Sequence, residues 1–106
     1  MMTDQATVRA LDLVHLAHHT LGDQDLEREI LRLFAAQSRT LLARLEAARD
    51  EERMRVAHTL KGSARAIGAW EVVRAAEEIE ADTQATTDAL AQAVGRVNAI
   101  IRDLAA

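Results

Sequence analysis

The sequence contains no cysteine and no proline, and Phe34 and Trp70 are its only aromatic residues besides histidine. Without cysteine, the chain can have neither a disulfide framework nor a thiolate metal site. Runs of β-branched residues are also missing, so little opposes helix formation along the chain. The composition is dominated by Ala, Leu, Arg and Glu, which favours an all-α protein.

Long apolar runs and an excess of positive charge are absent as well. No uninterrupted apolar stretch approaches the roughly 20 residues that a membrane span requires. The first residues, Met1 to Asp4, lack the basic and then apolar order of a secretory signal. The net charge of −4 argues against non-specific binding of nucleic acid, which needs a clustered positive surface. We therefore expect a cytoplasmic protein that binds neither membranes nor nucleic acid.

What is present is enough for one small folded domain. The 106 residues are 49% hydrophobic and 28% charged, as in ordinary globular proteins. A core of Leu, Ile, Val and Ala is small but workable at this length, with no room for a second. We expect residues 1–106 to form a single domain.

Apolar spacing and capping residues predict four or five helices. The first covers about 7–20 and ends at Gly22 in a left-handed cap, and a long second helix follows an N-cap at Asp23. The third covers about 51–67, with Asp50 as its N-cap and Gly68 at its end. The fourth covers about 70–82, and the last helix has Thr86 or Thr87 as its N-cap. This order predicts an antiparallel four-helix bundle with an additional short N-terminal helix.

The apolar stripes predict which residues form the core. The predicted members, helix by helix, are Leu11, Val14 and Leu21; Leu26, Ile30, Leu33, Phe34, Leu41, Leu45 and Ala48; Met54, Ala57, Leu60, Ala64 and Ile67; Val72, Val73, Ala76 and Ile79; and Leu90, Val94, Val97, Ile101 and Leu104. Leu31 and Leu42 fall off the second stripe. They either pack under the first helix or stay exposed as part of a docking surface.

A histidine in the third predicted helix has an unusual set of neighbours. Around the helix axis, Lys61 lies about −60° from His58, Gly62 about +40° and Arg65 about −20°. The four residues therefore share one face, whereas the apolar residues of this helix lie mostly on the other side. Lys61 is also the only lysine among thirteen basic residues. We expect His58 to project into water.

This arrangement suits phosphoryl transfer. Imidazole is largely neutral at pH 7, so a ring nitrogen can attack phosphorus. Lys61 can stabilise the charge of the product as a flexible point charge, and Arg65 can add a second. Gly62 removes a side chain where a partner must approach in line. The sequence has no nucleotide-binding motif, so the phosphoryl group must come from another protein and leave to another.

The segment 57–64, followed by 67–69 and the glutamates of 77–80, resembles the histidine-containing phosphotransfer (HPt) domain over nearly the whole chain. The resemblance implies that His58 is phosphorylated and relays phosphoryl groups between receiver-domain aspartates. It implies that the receiver supplies the aspartate and Mg²⁺, so that this chain is a carrier without a cofactor or kinase activity of its own. It also implies that Glu80, on the next helix, hydrogen-bonds the other ring nitrogen.

Two alternatives remain open. The first is the phosphoacceptor domain of a chemotaxis-type histidine kinase, which shares the His-x-x-Lys-Gly motif and would take its phosphate from ATP. Met1 and the helix that ends at Ala105 and Ala106 favour a complete small protein instead. A helical adaptor that works without phosphorylation would dock through Leu31 and Leu42. A dimeric kinase hairpin is disfavoured because its histidine is usually followed by proline.

For the leading hypothesis we expect a monomer. Its receiver docks on an apolar patch around His58 that includes Leu13, Leu16 or Ala17, together with the second helix.

Three further histidines and the tryptophan have simpler interpretations. His15, His18 and His19 have spacings that can place two imidazoles on one helix face, as in some metal sites. No carboxylate or cysteine is clearly paired with them, so a surface or partner-facing role is expected. Trp70 is expected to cover the end of the bundle rather than to stack on a ligand.

Overall fold

The computed structural model describes residues 10–105. In that range the chain forms five α-helices and no β-strand: α1 Leu13–Thr20, α2 Gln24–Ala47, α3 Asp50–Ile67, α4 Trp70–Ala81 and α5 Asp88–Ala105. Within the same range, no helix has both the length and the apolar character needed to cross a bilayer. The predicted all-α class is confirmed.

The four long helices form an antiparallel bundle. Helix α3 packs against α2 and α4, and α5 packs against the same two helices, so α3 and α5 occupy opposite corners. Connections of two residues, 48–49 and 68–69, reverse the chain direction at either end of α3. The short helix α1 lies against α2 and α3. This is the predicted bundle with an added N-terminal helix.

The core stripe of α2 differs from the predicted one. The buried residues have spacings of three and four and are Leu31, Phe34, Ser38, Leu41 and Leu45. Leu31 is therefore in the core, whereas Leu26 and Leu33 are 43% and 60% exposed. The polar Ser38 interrupts the true stripe in the sequence, which explains why the prediction followed the neighbouring one.

Burial of Ser38 is compatible with the core because its hydroxyl is hydrogen-bonded. The hydroxyl donates to the carbonyl of Ala35 at 3.1 Å and accepts from the amide nitrogen of Asn98, on α5, at 3.1 Å. A buried polar group with partners on both sides avoids the cost of an unmade hydrogen bond. The pair also links α2 to α5.

The first predicted helix is interrupted. Ala10 is helical but residues 11–12 are not, and α1 begins at Leu13 because the Asp12 carboxylate caps it by accepting from the backbone N–H of His15 at 3.0 Å. Residues 7–9 of the predicted helix lie outside the described part. At the other end Leu21 already adopts the left-handed conformation (φ 55°), followed by Gly22 (φ 80°).

The core predictions need further correction in three helices, and most of the rest hold. Val14 and Leu21 are 70% and 94% exposed because they point away from the bundle. In α3, Met54 is 40% exposed and Val56 is buried instead. The predicted core residues of α4 are all buried; those of α5 are buried up to Ile101, whereas Leu104, on the last turn, is 47% exposed.

Helix α3 also starts differently from the prediction. Asp50 is the first residue of the helix, with a left-handed φ of 51°, and Arg49 occupies the N-cap position without a side-chain cap. Aspartate tolerates this conformation better than most residues. The tight reversal after α2 therefore uses Asp50 for its backbone conformation rather than for its capping carboxylate.

Gly68 ends α3 as predicted and has a second role that local sequence does not reveal. Its φ of 76° is left-handed, and a Cβ there would lie 2.8 Å from the Cβ of Asp12 and 3.0 Å from the Asp12 carbonyl oxygen. The Gly68 carbonyl accepts from the backbone N–H of Asp12 at 3.0 Å. The missing side chain thus lets the start of α1 pack onto the end of α3.

We predict opposite effects of alanine at two glycines. Gly68→Ala should lower the free energy of unfolding by about 1–2 kcal/mol or more, because it forces alanine into a left-handed conformation and against Asp12. Gly95 lies exposed inside α5, where an added Cβ meets nothing within 4 Å. Gly95→Ala should therefore raise the free energy of unfolding, and so stabilise the protein, by roughly 0.5–1 kcal/mol. Urea denaturation measures both, and equal stability of the two variants would contradict the role given to Gly68.

Candidate functional site

The exposed face of α3 carries His58, Gly62 and Arg65. Four apolar residues of the helix are at most 1% exposed and face the core: Ala57, Leu60, Ala64 and Ile67. The His58 side chain is 69% exposed, so it projects into water as the helical spacing predicts.

Glu80 of α4 lies beside this histidine and joins it to a lysine. One Glu80 carboxylate oxygen, Oε2, is 2.9 Å from Nδ1 of His58. The other, Oε1, is 2.7 Å from Nζ of Lys61. Residues 58 and 61 are one turn apart on α3, so a single carboxylate from the neighbouring helix reaches both side chains. The three residues form a cluster that we call the His58–Glu80–Lys61 triad.

The contacts keep Glu80 ionised. The side chain is only 20% exposed, and this burial by itself would raise the pKa of the carboxyl. The Lys61 ammonium and the His58 ring outweigh burial and hold the pKa of Glu80 below its usual value. At neutral pH, Glu80 is therefore a carboxylate.

An ionised carboxylate fixes the tautomer of the histidine. A carboxylate only accepts hydrogen bonds, so Nδ1 of His58 must carry the proton and donate it to Glu80. In a neutral imidazole the lone pair is then on Nε2, the ring nitrogen that faces away from Glu80. The site consequently presents an unprotonated nitrogen on a side chain that is 69% exposed.

Lys61 and Gly62 are placed differently from each other. The Lys61 side chain is only 15% exposed, and its charge is compensated by Glu80. It is thus a fixed, partly covered group and not the free point charge that the sequence suggests. Gly62 is exposed, and an added Cβ there would meet nothing within 4 Å. The surface beside His58 is therefore open.

Arg65 lies on the same face, two turns beyond the histidine. Its side chain is exposed, and no carboxylate of residues 10–105 lies within 4.0 Å of it. It does not join the triad. Of the predicted site residues, the structure brings together His58, Lys61 and Glu80, leaves Gly62 as the gap beside them, and keeps Arg65 apart.

Comparison with protein families decides what kind of domain carries this site. The family model described as "Hpt domain" matches residues 29–106, which include α3 and α4 entirely and all five predicted site residues. The chain belongs to the Hpt domain family. Neither the curated proteins nor the solved structures gave a significant match. Membership in the family supports a phosphotransfer role in two-component signalling.

The Hpt match starts within α2, so α1 lies outside it. In this Hpt domain α1 is attached to the end of α3 and the start of α4 by a polar cluster that sequence reasoning missed. The Asp12 carboxylate accepts from Nε1 of Trp70 at 3.1 Å as well as from the backbone of His15. Those two donors, the His15 N–H first, hold the pKa of Asp12 below its usual value. The available signal for this cap was an aspartate directly before the first residue of a short helix.

His15 is part of this attachment. Its Nε2 lies 2.9 Å from the carbonyl oxygen of Arg65 and donates a hydrogen bond to it. The imidazole also packs edge to face on Trp70, with the ring centroids 4.9 Å apart. Within residues 10–105, no group of three or more His, Cys, Asp or Glu side chains is placed to hold a metal ion.

The docking residues suggested by the sequence are only partly available. Leu16 is 1% exposed and belongs to the core, which excludes it as a contact. Leu13 and Ala17 are partly buried and line a shallow surface depression with Val14, His18 and Leu21. Leu31, on which the adaptor alternative depends, is 6% exposed, and Leu42 packs partly against the core.

We predict that Glu80 controls the tautomer of His58. In the unaltered chain, long-range ¹H–¹⁵N spectra should show the proton of the neutral His58 ring on Nδ1. Glu80→Ala should shift this ring towards a mixture of both tautomers, because the acceptor at Nδ1 is lost. Glu78→Ala, an exposed glutamate on the same helix, is the matched control and should leave the His58 signals unchanged. An unchanged tautomer in Glu80→Ala would contradict this role.

The lowered pKa of Glu80 predicts a pH-dependent contribution to stability. Since the folded pKa is lower than the unfolded one, folding is favoured by the ionised form, and the contribution is fully present above the usual glutamate pKa of about 4.3. It should disappear as the pH falls through the folded pKa. The stability difference between the unaltered chain and Glu80→Gln should therefore narrow below about pH 4.3. Urea titrations between pH 7 and 3 measure the free energy of unfolding of both proteins. A difference between them that stays constant with pH would contradict the ion pair.

Proposed function

We propose that this Hpt domain relays phosphoryl groups between receiver-domain aspartates by way of Nε2 of His58. The observation that carries the proposal is the 2.9 Å contact between Nδ1 of His58 and the Glu80 carboxylate. It holds the proton on the inner ring nitrogen and leaves a lone pair on the outer one. Family membership supports the same chemistry independently.

The transfer step balances without a base. The Nε2 lone pair attacks the phosphorus of an aspartyl phosphate on the receiver, a nitrogen–phosphorus bond forms, and the bond from phosphorus to the aspartate oxygen breaks. The receiver carboxylate leaves with the electron pair. Nε2 carries no proton that must be removed first. In the reverse direction, a carboxylate of a second receiver attacks the phosphohistidine.

Glu80 also favours the product of this step. The imidazole ring becomes more positive as Nε2 forms its bond to phosphorus, and the Nδ1–H remains directed at a carboxylate 2.9 Å away. Second partners of this kind fix the ring and raise its basicity in metal-bound histidines. Lys61 holds the carboxylate from its other side, at 2.7 Å, so that Glu80 stays ionised and oriented.

Transfer also requires an open approach to the ring, which Gly62 provides, and an aspartate with Mg²⁺, which the receiver provides. A side chain at position 62 would stand beside the exposed ring, whereas glycine leaves that approach open for the partner. The receiver brings the aspartate and Mg²⁺, so the chain acts as a carrier and needs no cofactor of its own. The burial of Leu31 argues against the adaptor alternative, because Leu31 is one of the two residues through which the adaptor would dock.

We predict that His58→Gln abolishes phosphoryl acceptance, because glutamine has no nucleophilic ring nitrogen. The purified chain is incubated with phosphorylated receivers from the source organism, and acid-labile phosphate on the chain is measured. Arg102→Gln is the control, since it introduces glutamine at an exposed position on α5, the corner of the bundle opposite α3, and should leave labelling intact. Acid-labile label on the His58→Gln variant would overturn the proposal.

A further inference from the structure

The exposed side of α3 carries three cations near the site, and two of them are already paired. Arg55 lies 2.9 Å from Glu52, and Lys61 lies 2.7 Å from Glu80. Arg65 has no carboxylate of residues 10–105 within 4.0 Å. The positive charge that this face offers to a partner is therefore that of Arg65.

The position of Arg65 directs its side chain towards the approach to His58. It follows the histidine by seven residues, which is two turns, about 10.5 Å along the axis and about 20° around it. Side chains on a helix lean towards its N-terminus, so the stem of Arg65 points to the turn that contains Gly62. At Gly62 there is no side chain, and an added Cβ would meet nothing within 4 Å. The guanidinium thus has free space between its own turn and the histidine.

The backbone beneath Arg65 is held at two points. Its carbonyl oxygen accepts from Nε2 of His15 at 2.9 Å and from the backbone N–H of Gly68 at 3.3 Å. These bonds attach α1 and the turn after α3 to the residue that carries the cation. Arg65 therefore combines a fixed backbone with an exposed side chain that no carboxylate of the described residues neutralises.

We propose that Arg65 is the docking cation of this Hpt domain. It binds an oxyanion on the receiver face, either a carboxylate or the phosphoryl group in transit, and it acts on association with the receiver. The chain has a net charge of −4, so a partner whose contact face is anionic is repelled by much of the surface and needs a local positive group. The proposal rests on the proposed function for the identity of the partner.

Charge reversal tests this role. Arg65→Glu should lower the second-order rate of transfer from a phosphorylated receiver by about tenfold or more at low salt, which corresponds to about 1.4 kcal/mol. Arg65→Lys should keep most of the rate, because it keeps the charge. The matched control is Arg102→Glu, which makes the same change at an exposed arginine on α5, the opposite corner of the bundle. That control should change the rate by less than about twofold.

Three further measurements separate docking from other roles. The rate of the unaltered chain should fall as salt rises, and that of Arg65→Glu should not. Without receiver present, the phosphohistidine should have the same lifetime in the unaltered chain and in Arg65→Glu, since Arg65 acts on association. Titration of receivers with the His58→Gln chain should show weaker binding when Arg65→Glu is added. If Arg65→Glu weakens binding to unphosphorylated receivers as well, the oxyanion that Arg65 binds is a carboxylate. If it weakens binding to phosphorylated receivers only, the oxyanion is the phosphoryl group.

Each failure has a distinct meaning. The proposal is wrong if Arg65→Glu slows transfer no more than Arg102→Glu does, or if it shortens the phosphohistidine lifetime and leaves binding unchanged. Receivers that bind the unaltered chain through Arg65 but never load His58 would overturn the proposed relay and leave the docking role standing. Receivers that neither bind nor load the chain would overturn both.

Discussion

The left-handed turn at Gly68 is the constraint on which the rest of the site depends. It ends α3 and, with only one further residue between the helices, sends α4 back along α3. That return sets the register in which Glu80 meets His58 and Lys61. The same turn receives α1, because the Gly68 carbonyl accepts from the N–H of Asp12 and the absent side chain leaves room for it. One backbone conformation thus aligns three helices.

Within that register, a single carboxylate organises the charges of the site. Glu80 contacts an imidazole with one oxygen and an ammonium with the other, and the two contacts outweigh the partial burial that would otherwise raise its pKa. An ionised Glu80 sets which nitrogen of His58 carries the proton. The lysine serves mainly this carboxylate. The site therefore contains one compensated ion pair beside the histidine, and two turns away lies Arg65, which has no carboxylate of residues 10–105 within 4.0 Å.

Much of the fold could be predicted from the sequence, because it depends on local signals. Gly68 and Asp23 end and begin helices as predicted, and the face that His58 shares with Gly62 follows from helical geometry alone. The α2 stripe could not be predicted reliably, because buried Ser38 needs Asn98 of another helix to be tolerated. For the same reason the spacing alone did not show that Lys61 is occupied by Glu80. Contacts between helices depend on register, which apolar periodicity does not specify.

The distribution of charge suits a carrier that must both accept and release its load. A free ammonium beside the ring would stabilise the phosphohistidine alone and would oppose its transfer onward. In this arrangement Lys61 is already compensated by Glu80, so it adds little attraction that is specific to the loaded state. A docking contact from Arg65 to a receiver carboxylate would stabilise the complex before and after transfer alike, and interactions common to both states do not bias the equilibrium between them. With these proposed roles, the cation that orders the site is not the cation that meets the partner, so association could be strengthened without adding charge beside the phosphohistidine.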